Sequence, residues 1–168
     1  ASIKHDKERY EHKYEYCDLL ITGSGPSGLA SAYAAAKNGA RVILAEDKPR
    51  FGGSLLTSDV NIGNQTGVEW TEKIIAELKS MPNVTVKNRS QVFGYYDHNM
   101  LVMSERISDH LPKTQKYLPK QRLWYIRANE VLISSGSIER PLVFGNNDTP
   151  GVMLSSAAKE YMKVYGVL

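Results

Sequence analysis

The chain has 168 residues, the size of one ordinary domain, and its 42% hydrophobic and 23% charged residues are typical of a globular protein. Its formal charge of +3 comes from 21 basic and 18 acidic residues that are interspersed along the chain, which argues against a nucleic-acid partner. Its longest apolar stretch is far shorter than the roughly 20 residues that span a bilayer, and a single cysteine excludes a disulfide framework. We therefore expect a cytoplasmic protein that binds neither nucleic acid nor membrane.

The first predicted segment is a polar leader. Residues 1–16 are rich in Lys, Glu, His and Tyr and contain no apolar core, so we expect them to lie outside a domain that occupies 17–168. Cys17 stands at the start of the following strand, where we expect a buried and unreactive thiol.

A βαβ unit is predicted next. The apolar run at 19–21 ends at Gly23, which is typical of a strand buried in a parallel sheet. A helix begins at Pro26 and ends before Gly39, and the run at 41–45 is a second apolar strand. A crossover of this kind places the two strands parallel.

The remaining segments predict how the sheet is completed. The spacing at 68–81 predicts an amphipathic helix, and Ser155 or Ser156 is the expected cap of a last helix. Further strands are expected at 84–86, in two runs within 91–107, at 123–126 and at 131–133, with a long loop at 108–121. The predicted fold class is α/β: a Rossmann-like parallel sheet with an antiparallel β-meander inserted at about 90–128, as in flavoproteins that bind FAD and NAD(P).

The turn after the first strand has the spacing of a dinucleotide fingerprint. Gly23, Gly25 and Gly28 follow a strand and open a helix, and Glu46 ends the next strand. Gly23 permits the tight turn, Gly25 leaves room for a pyrophosphate, and Gly28 lets the helix pack on the sheet. The helix N-terminus offers amide groups to the phosphates, and a carboxylate at Glu46 can bind the ribose hydroxyls and repel a 2′-phosphate. NAD or FAD is therefore favoured over NADP.

Other residues are predicted to complete the cofactor site, from the same turn, the acidic tip of the second strand, the loop with paired glycines after it, the start of the predicted meander and the end of the strand at 131–133. These are Ser24, Pro26, Ser27, Asp47, Gly53, Ser54, Val92, Ser135 and Gly136. The sequence offers no nucleophile elbow, no acid–base dyad and no histidine spaced for a metal, so we predict neither catalytic nor metal-ligating residues.

These motifs resemble the α subunit of heterotetrameric sarcosine oxidase. The resemblance covers nearly the whole chain from about Tyr10. It is carried by CDLLITGSGPSGLA (17–30), FGGSL (51–55), QRLW (121–124), GSIERPLVF (136–144) and NNDTPGVM (146–153), of which the last two are the most specific.

The resemblance implies an assembly that oxidises sarcosine to glycine with oxygen as acceptor, gives hydrogen peroxide and passes the one-carbon unit to tetrahydrofolate. It implies NAD on this subunit, FAD and the substrate site on the β subunit, a covalent FMN between the two, and γ and δ subunits as further partners. It places the three fingerprint glycines on the pyrophosphate, Glu46 on the ribose, and Gly53 and Ser54 beside them. It also implies that this chain is a fragment of a larger subunit without a complete active site.

Two alternatives stay open at this point. The same turn could hold an active FAD in an oxidoreductase of the opine or amine dehydrogenase type, because NAD and FAD share the ADP half that the fingerprint binds. The chain could also be a non-catalytic scaffold domain that keeps the fold and binds neither cofactor nor substrate.

Overall fold

The computed structural model describes residues 8–112 and 117–167. Short 3₁₀ turns occupy Gly53–Leu56 and Asp97–Asn99. The strands and helices are, in chain order, β1 (Tyr10–Thr22), α1 (Pro26–Lys37), β2 (Val42–Ala45), β3 (Asn61–Ile62), β4 (Gln65–Thr66), α2 (Gly67–Ser80), β5 (Val84–Lys87), β6 (Ser90–Tyr96), β7 (Met100–Arg106), β8 (Gln121–Ile133) and α3 (Ser155–Tyr165).

Six strands form one sheet in the order β5-β2-β1-β8-β7-β6. β1 is parallel to β2 and β8, and β2 is parallel to β5, whereas β7 is antiparallel to both β6 and β8. β8 therefore belongs to both parts of the sheet: it pairs with β1 along its whole length, and its first half, Gln121 to Arg127, also pairs with β7 as the last strand of the meander. The Rossmann-like parallel sheet and its meander are confirmed.

The sheet separates two apolar cores, because successive side chains of β1 and β2 point to opposite faces. On one face these strands pack against the meander, in a core of Cys17, Leu20, Ile43, Ala45, Leu101, Met103, Trp124, Ile126 and Ala128. On the other face they pack against α1 and α2, in a core of Ile21, Leu29, Ala32, Ala36, Val42, Leu44, Ile74, Ile75 and Leu78. The sheet therefore curls, so that its meander strands cover one face of its parallel strands and the helices cover the other face.

The two packed helices have clear end signals. Pro26 occupies the first turn of α1, and Asn38 ends it, followed by Gly39 with a φ of 86°. At the start of α2, Thr66 and Glu69 form a capping box: the Glu69 amide donates to the Thr66 hydroxyl oxygen, and Glu69 Oε2 accepts from the Thr66 amide.

The boundary of the polar leader differs from the prediction. β1 already begins at Tyr10, so residues 10–16 lie in the sheet, where Tyr10 pairs with Gln121 and Tyr16 pairs with Arg127. This stretch has no apolar pattern because its side chains are mostly exposed, including Tyr14 at 73%. Residues 1–7 of the expected leader lie outside the described residues.

The strand predictions at 123–126 and 131–133 are corrected to the single strand β8. Asn129 and Glu130 lie between the two predicted strands, where two polar side chains interrupt the apolar pattern. Both side chains are exposed, and both residues belong to β8. Of the loop predicted at 108–121, residues 113–116 lie outside the described residues.

The expected cap of α3 is also wrong. Ser155 and Ser156 are the first residues inside the helix, and the cap position is Leu154. The cap is supplied by Glu139, whose carboxylate accepts from Ser155 Oγ at 2.9 Å and from the Ser156 amide at 2.8 Å. These hydrogen bonds lower the pKa of Glu139 to about 2.

A group of charges joins β5, β7 and β8 beside the meander core. Glu105 accepts from Trp124 Nε1 at 2.6 Å and pairs with Lys87 and Arg122 at 3.3 Å each. The Lys87 ammonium also lies 4.2 Å from the centre of the Trp124 ring. The side chains of Lys87 and Glu105 are only 13% and 14% exposed, so these charges are paired as burial requires.

No helix in the described part of the chain is long and apolar enough to cross a membrane.

Candidate dinucleotide-binding site

Two glycines of the fingerprint are required by packing. Gly23 follows β1 with a φ of 96°, and a Cβ on it would lie 2.3 Å from the Ser134 carbonyl oxygen at the end of β8. A Cβ on Gly28 would lie 2.0 Å from the Gly23 carbonyl oxygen. Since real Cβ atoms do not approach so closely, only glycine lets the turn, α1 and the end of β8 meet.

The third glycine faces open space. A Cβ on Gly25 would meet no heavy atom of the described residues within 4 Å, and Pro26 and Ser27 beside it are exposed. Within residues 8–112 and 117–167, the amides of Gly25, Ser27 and Gly28 have no hydrogen-bond acceptor, whereas the Leu29 amide donates to the Gly25 carbonyl and begins the helical ladder. Free amides at a helix N-terminus with an empty approach are the geometry that binds phosphate.

Glu46 lies at the tip of β2 beside this turn. It is only 6% exposed. Its Oε2 accepts from the Ser24 amide at 2.9 Å and from the Ser24 hydroxyl at 2.5 Å, and its Oε1 accepts from the Lys48 amide at 3.0 Å. A carboxylate has about four acceptor sites. The described residues fill three of these sites, two on Oε2 and one on Oε1.

The loop with the paired glycines Gly52 and Gly53, called here the paired-glycine loop, packs against the same turn. The Gly52 amide donates both to the Ser24 carbonyl at 3.1 Å and to the Ser24 hydroxyl oxygen at 3.2 Å. A Cβ on Gly53 would lie 2.9 Å from Gly25 Cα, so this loop needs a glycine where it touches the fingerprint turn. The following residue, Ser54, is exposed.

Asp47 and Val92 lie near the tip of β2 and differ in environment. Asp47 is exposed, and its carbonyl accepts from Arg106. β6 starts next to the tip, because the Ser90 amide donates to the Glu46 carbonyl at 2.7 Å. Val92, two residues further on, is half-buried and packs against the meander core.

Ser135 and Gly136 follow the carboxyl end of β8 and are exposed. The amide of their neighbour Ser134 donates to the Thr22 carbonyl, and the carbonyl of Ser134 is the group against which Gly23 packs. The fold therefore brings the end of β8 to the glycine turn, while Ser135 and Gly136 extend beyond it.

Sequence reasoning missed three contributors to this geometry: the amides of Gly52 and Lys48, and the carbonyl of Ser134. All three are backbone groups, so no side-chain type marks them. Ser24, which the sequence predicts in the cofactor site, has a fully buried side chain whose hydroxyl donates to Glu46.

The expected character of Cys17 is confirmed. It is 2% exposed, and burial raises the pKa of its thiol to about 11. Among the described residues, no group of three or more His, Cys, Asp or Glu side chains could hold a metal ion.

The fold and the glycine turn together define a dinucleotide-binding domain of the oxidoreductase type. The family described as FAD dependent oxidoreductase matches residues 18–80, which include β2 and both packed helices. Among solved structures, L-proline dehydrogenase from P. horikoshii has the same fold, with a TM-score of 0.74 at 23% identity over 94% of this chain and 30% of that chain.

The resemblance carried by the sequence motifs is confirmed by two curated relatives. The chain is 44% identical over 167 residues to the sarcosine oxidase subunit alpha of Rhizobium meliloti (strain 1021), which is 99% of this chain and 17% of that relative. It is 39% identical over 164 residues to the sarcosine oxidase subunit alpha of Corynebacterium sp. (strain P-1), which is 96% of this chain and 17% of that relative. The chain thus spans 17% of the length of each relative.

Proposed function

We propose that this chain is the NAD-binding segment of a sarcosine oxidase α-type subunit. The complete assembly, with β, γ and δ subunits, would demethylate sarcosine to glycine with oxygen as acceptor, producing hydrogen peroxide and passing the one-carbon unit to tetrahydrofolate. FMN and tetrahydrofolate belong only to that assembly. The similarity to two α subunits over nearly the whole chain supports this proposal.

The observation that carries the proposal is the open approach at Gly25. In the described part of the chain, no atom lies within 4 Å of a Cβ there and the amides of Gly25, Ser27 and Gly28 have no acceptor, which suits a diphosphate. Gly25, Ser27 and Gly28 would hold the pyrophosphate through their amides, and the free acceptor site of Glu46 would bind a ribose hydroxyl. When bound, NAD supplies a nicotinamide ring, but we assign it no hydride exchange with sarcosine.

The charge at the ribose end favours NAD over NADP. Glu46 is buried at that end, and its carboxylate accepts hydrogen bonds from the Ser24 amide, the Ser24 hydroxyl and the Lys48 amide. A 2′-phosphate placed beside that charge would be repelled and would lose its water without gaining a partner.

FAD is the second candidate, because the matched family is FAD dependent and its match includes the fingerprint turn and Glu46. In that case the chain would be the flavin domain of an opine or amine dehydrogenase-type oxidoreductase. The two nucleotides differ only beyond the shared ADP half, so the fingerprint does not separate them.

Ligand-dependent thermal unfolding distinguishes the NAD, FAD and scaffold hypotheses. The purified chain is unfolded with NAD, NADP or FAD at about 100 times the dissociation constant, where a ligand of the folded state adds about 2.7 kcal/mol and raises Tm by about 5 to 10 °C. We expect a shift with NAD, little with NADP, and no visible flavin absorption. A yellow protein stabilised by FAD alone would favour the second candidate. No response to any nucleotide would refute both and leave the scaffold reading.

A further inference from the structure

The hydroxyl of Ser24 forms the centre of a hydrogen-bonded relay. The Gly52 amide donates to Ser24 Oγ at 3.2 Å, and Ser24 Oγ donates to Glu46 Oε2 at 2.5 Å. The direction is fixed by the donors present: an amide can only donate and a carboxylate can only accept, so the hydroxyl proton must point at Glu46. The paired-glycine loop, the fingerprint turn and the acid are thereby joined through one side chain.

This relay lies where water cannot replace it. Ser24 has no exposed surface, and Glu46 is 6% exposed. A buried carboxylate needs donors for its lone pairs, and each one that is removed leaves charge without compensation. Ser24 supplies two of the three donors that Glu46 has among the described residues, and only its hydroxyl can be removed by substitution.

The relay also limits how Glu46 can point. With Oε2 accepting from the Ser24 amide and hydroxyl, and Oε1 accepting from the Lys48 amide, the described residues leave one acceptor site on Oε1. The torsion that turns a glutamate carboxylate is otherwise soft. The orientation of the acid is therefore set by the residue between the first two glycines and not by the β2 tip alone.

We infer that Ser24 is a specificity-determining positioning residue, whose hydroxyl holds the Glu46 carboxylate so that the site accepts an unmodified ribose and rejects a 2′-phosphate. This inference rests on the proposed nucleotide site. Ser24 itself does not touch the ligand. It acts through the orientation of Glu46.

The test compares ADP-ribose with its 2′-phosphate as ligands of Ser24→Ala. ADP-ribose carries the ADP half that NAD and FAD share, so the result does not depend on which nucleotide the protein prefers. Losing one charge-assisted hydrogen bond frees the carboxylate, and we expect ADP-ribose to bind about tenfold more weakly. We expect the 2′-phosphate to lose much less affinity, so that the ratio of the two dissociation constants falls several-fold. Both constants are measured by titration calorimetry on the full chain.

Ser90→Ala is the matched control. Ser90 is 1% exposed, and its hydroxyl donates to the Asn88 carbonyl instead of a carboxylate, while its backbone contact with Glu46 is kept on substitution. We expect this variant to lose stability without changing the ratio. If Ser24→Ala does not fold by circular dichroism, Ser24→Cys replaces it, because a thiol fills similar space and is a weaker donor.

The outcomes separate this inference from the proposed function. A fallen ratio in the Ser24 variant, with the control unchanged, supports the inference. An unchanged ratio in a folded Ser24 variant overturns it and leaves the nucleotide site intact. Failure of the native chain to bind ADP-ribose overturns both.

Discussion

Replacing Gly25 with valine tests the nucleotide site without disturbing the fold. Gly25 has a φ of −66° and a ψ of −177°, an extended conformation that valine adopts and that is allowed before proline. Because a Cβ there would meet none of the atoms that the structure describes within 4 Å, we expect Gly25→Val to change the free energy of unfolding by less than about 1 kcal/mol.

The effect on binding should be much larger. The valine methyl groups would occupy the open approach and keep a phosphate from the amides of Gly25 and Ser27. Hydrogen bonds to a charged group contribute about 1.5 to 3 kcal/mol each, so losing two costs at least about 3 kcal/mol. The dissociation constant of NAD should therefore rise at least about 100-fold.

The matched control is Gly145→Val. Gly145 is also open within 4 Å of an added Cβ and has no left-handed φ, and it is outside the proposed site. Titration calorimetry with NAD, together with thermal unfolding of both variants, is the assay. Unchanged NAD affinity in a folded Gly25→Val would refute the assignment of the turn to the pyrophosphate, and an equal loss in both variants would point to a general effect of valine.

Two further substitutions and one alkylation reaction test the site and the packing around it. Glu46→Ala should weaken NAD by about 1 to 3 kcal/mol and weaken NADP less, as measured by calorimetry. Gly28→Ala should lower the free energy of unfolding by about 3 kcal/mol, because its Cβ would lie 2.0 Å from the Gly23 carbonyl oxygen; denaturant unfolding measures this. Cys17 should resist alkylation at pH 8 in the native protein, since burial raises its pKa to about 11.

Each of these has an opposing result. An equal loss of NAD and NADP affinity in Glu46→Ala would show that Glu46 does not distinguish the ribose from its 2′-phosphate. Native stability in Gly28→Ala would contradict the close approach of α1 to the turn. Rapid alkylation of Cys17 without denaturant would contradict its burial. The raised pKa also determines how the stability of the protein changes with pH. Between the ordinary thiol pKa of 9.0 and about 11, the unfolded chain loses the Cys17 proton before the folded chain does. The contribution of Cys17 to stability therefore declines as the pH rises through that interval.

The sequence was sufficient for the parts of the fold that depend on local signals. The βαβ unit was found because a buried strand, a proline at a helix start and a glycine at its end follow each other within one crossover. The packing roles of Gly23 and Gly28 follow from the same local spacing, as does the open position of Gly25.

The missed features depend on contacts that no side-chain pattern marks, most of them between residues distant in sequence. The first half of β1 looks like a leader because its polar and aromatic side chains show no alternation, and only its pairing with β8 makes it a strand. The orientation of Glu46 depends on backbone donors of Lys48 and Ser24, and the cap of α3 comes from Glu139. Side-chain patterns do not encode such contacts, so the chain must be folded to reveal them.

The pairing of β1 with β8 has a consequence for how the domain acquires its structure during synthesis. β1 is synthesised before its neighbour β8, which begins only at Gln121, and the carbonyl that packs against Gly23 belongs to Ser134. Contacts this far apart along the chain make folding slow. The contact between Gly23 and Ser134 can therefore form only after residue 134 has left the ribosome, and until then the edge of β1 that pairs with β8 stays unpaired.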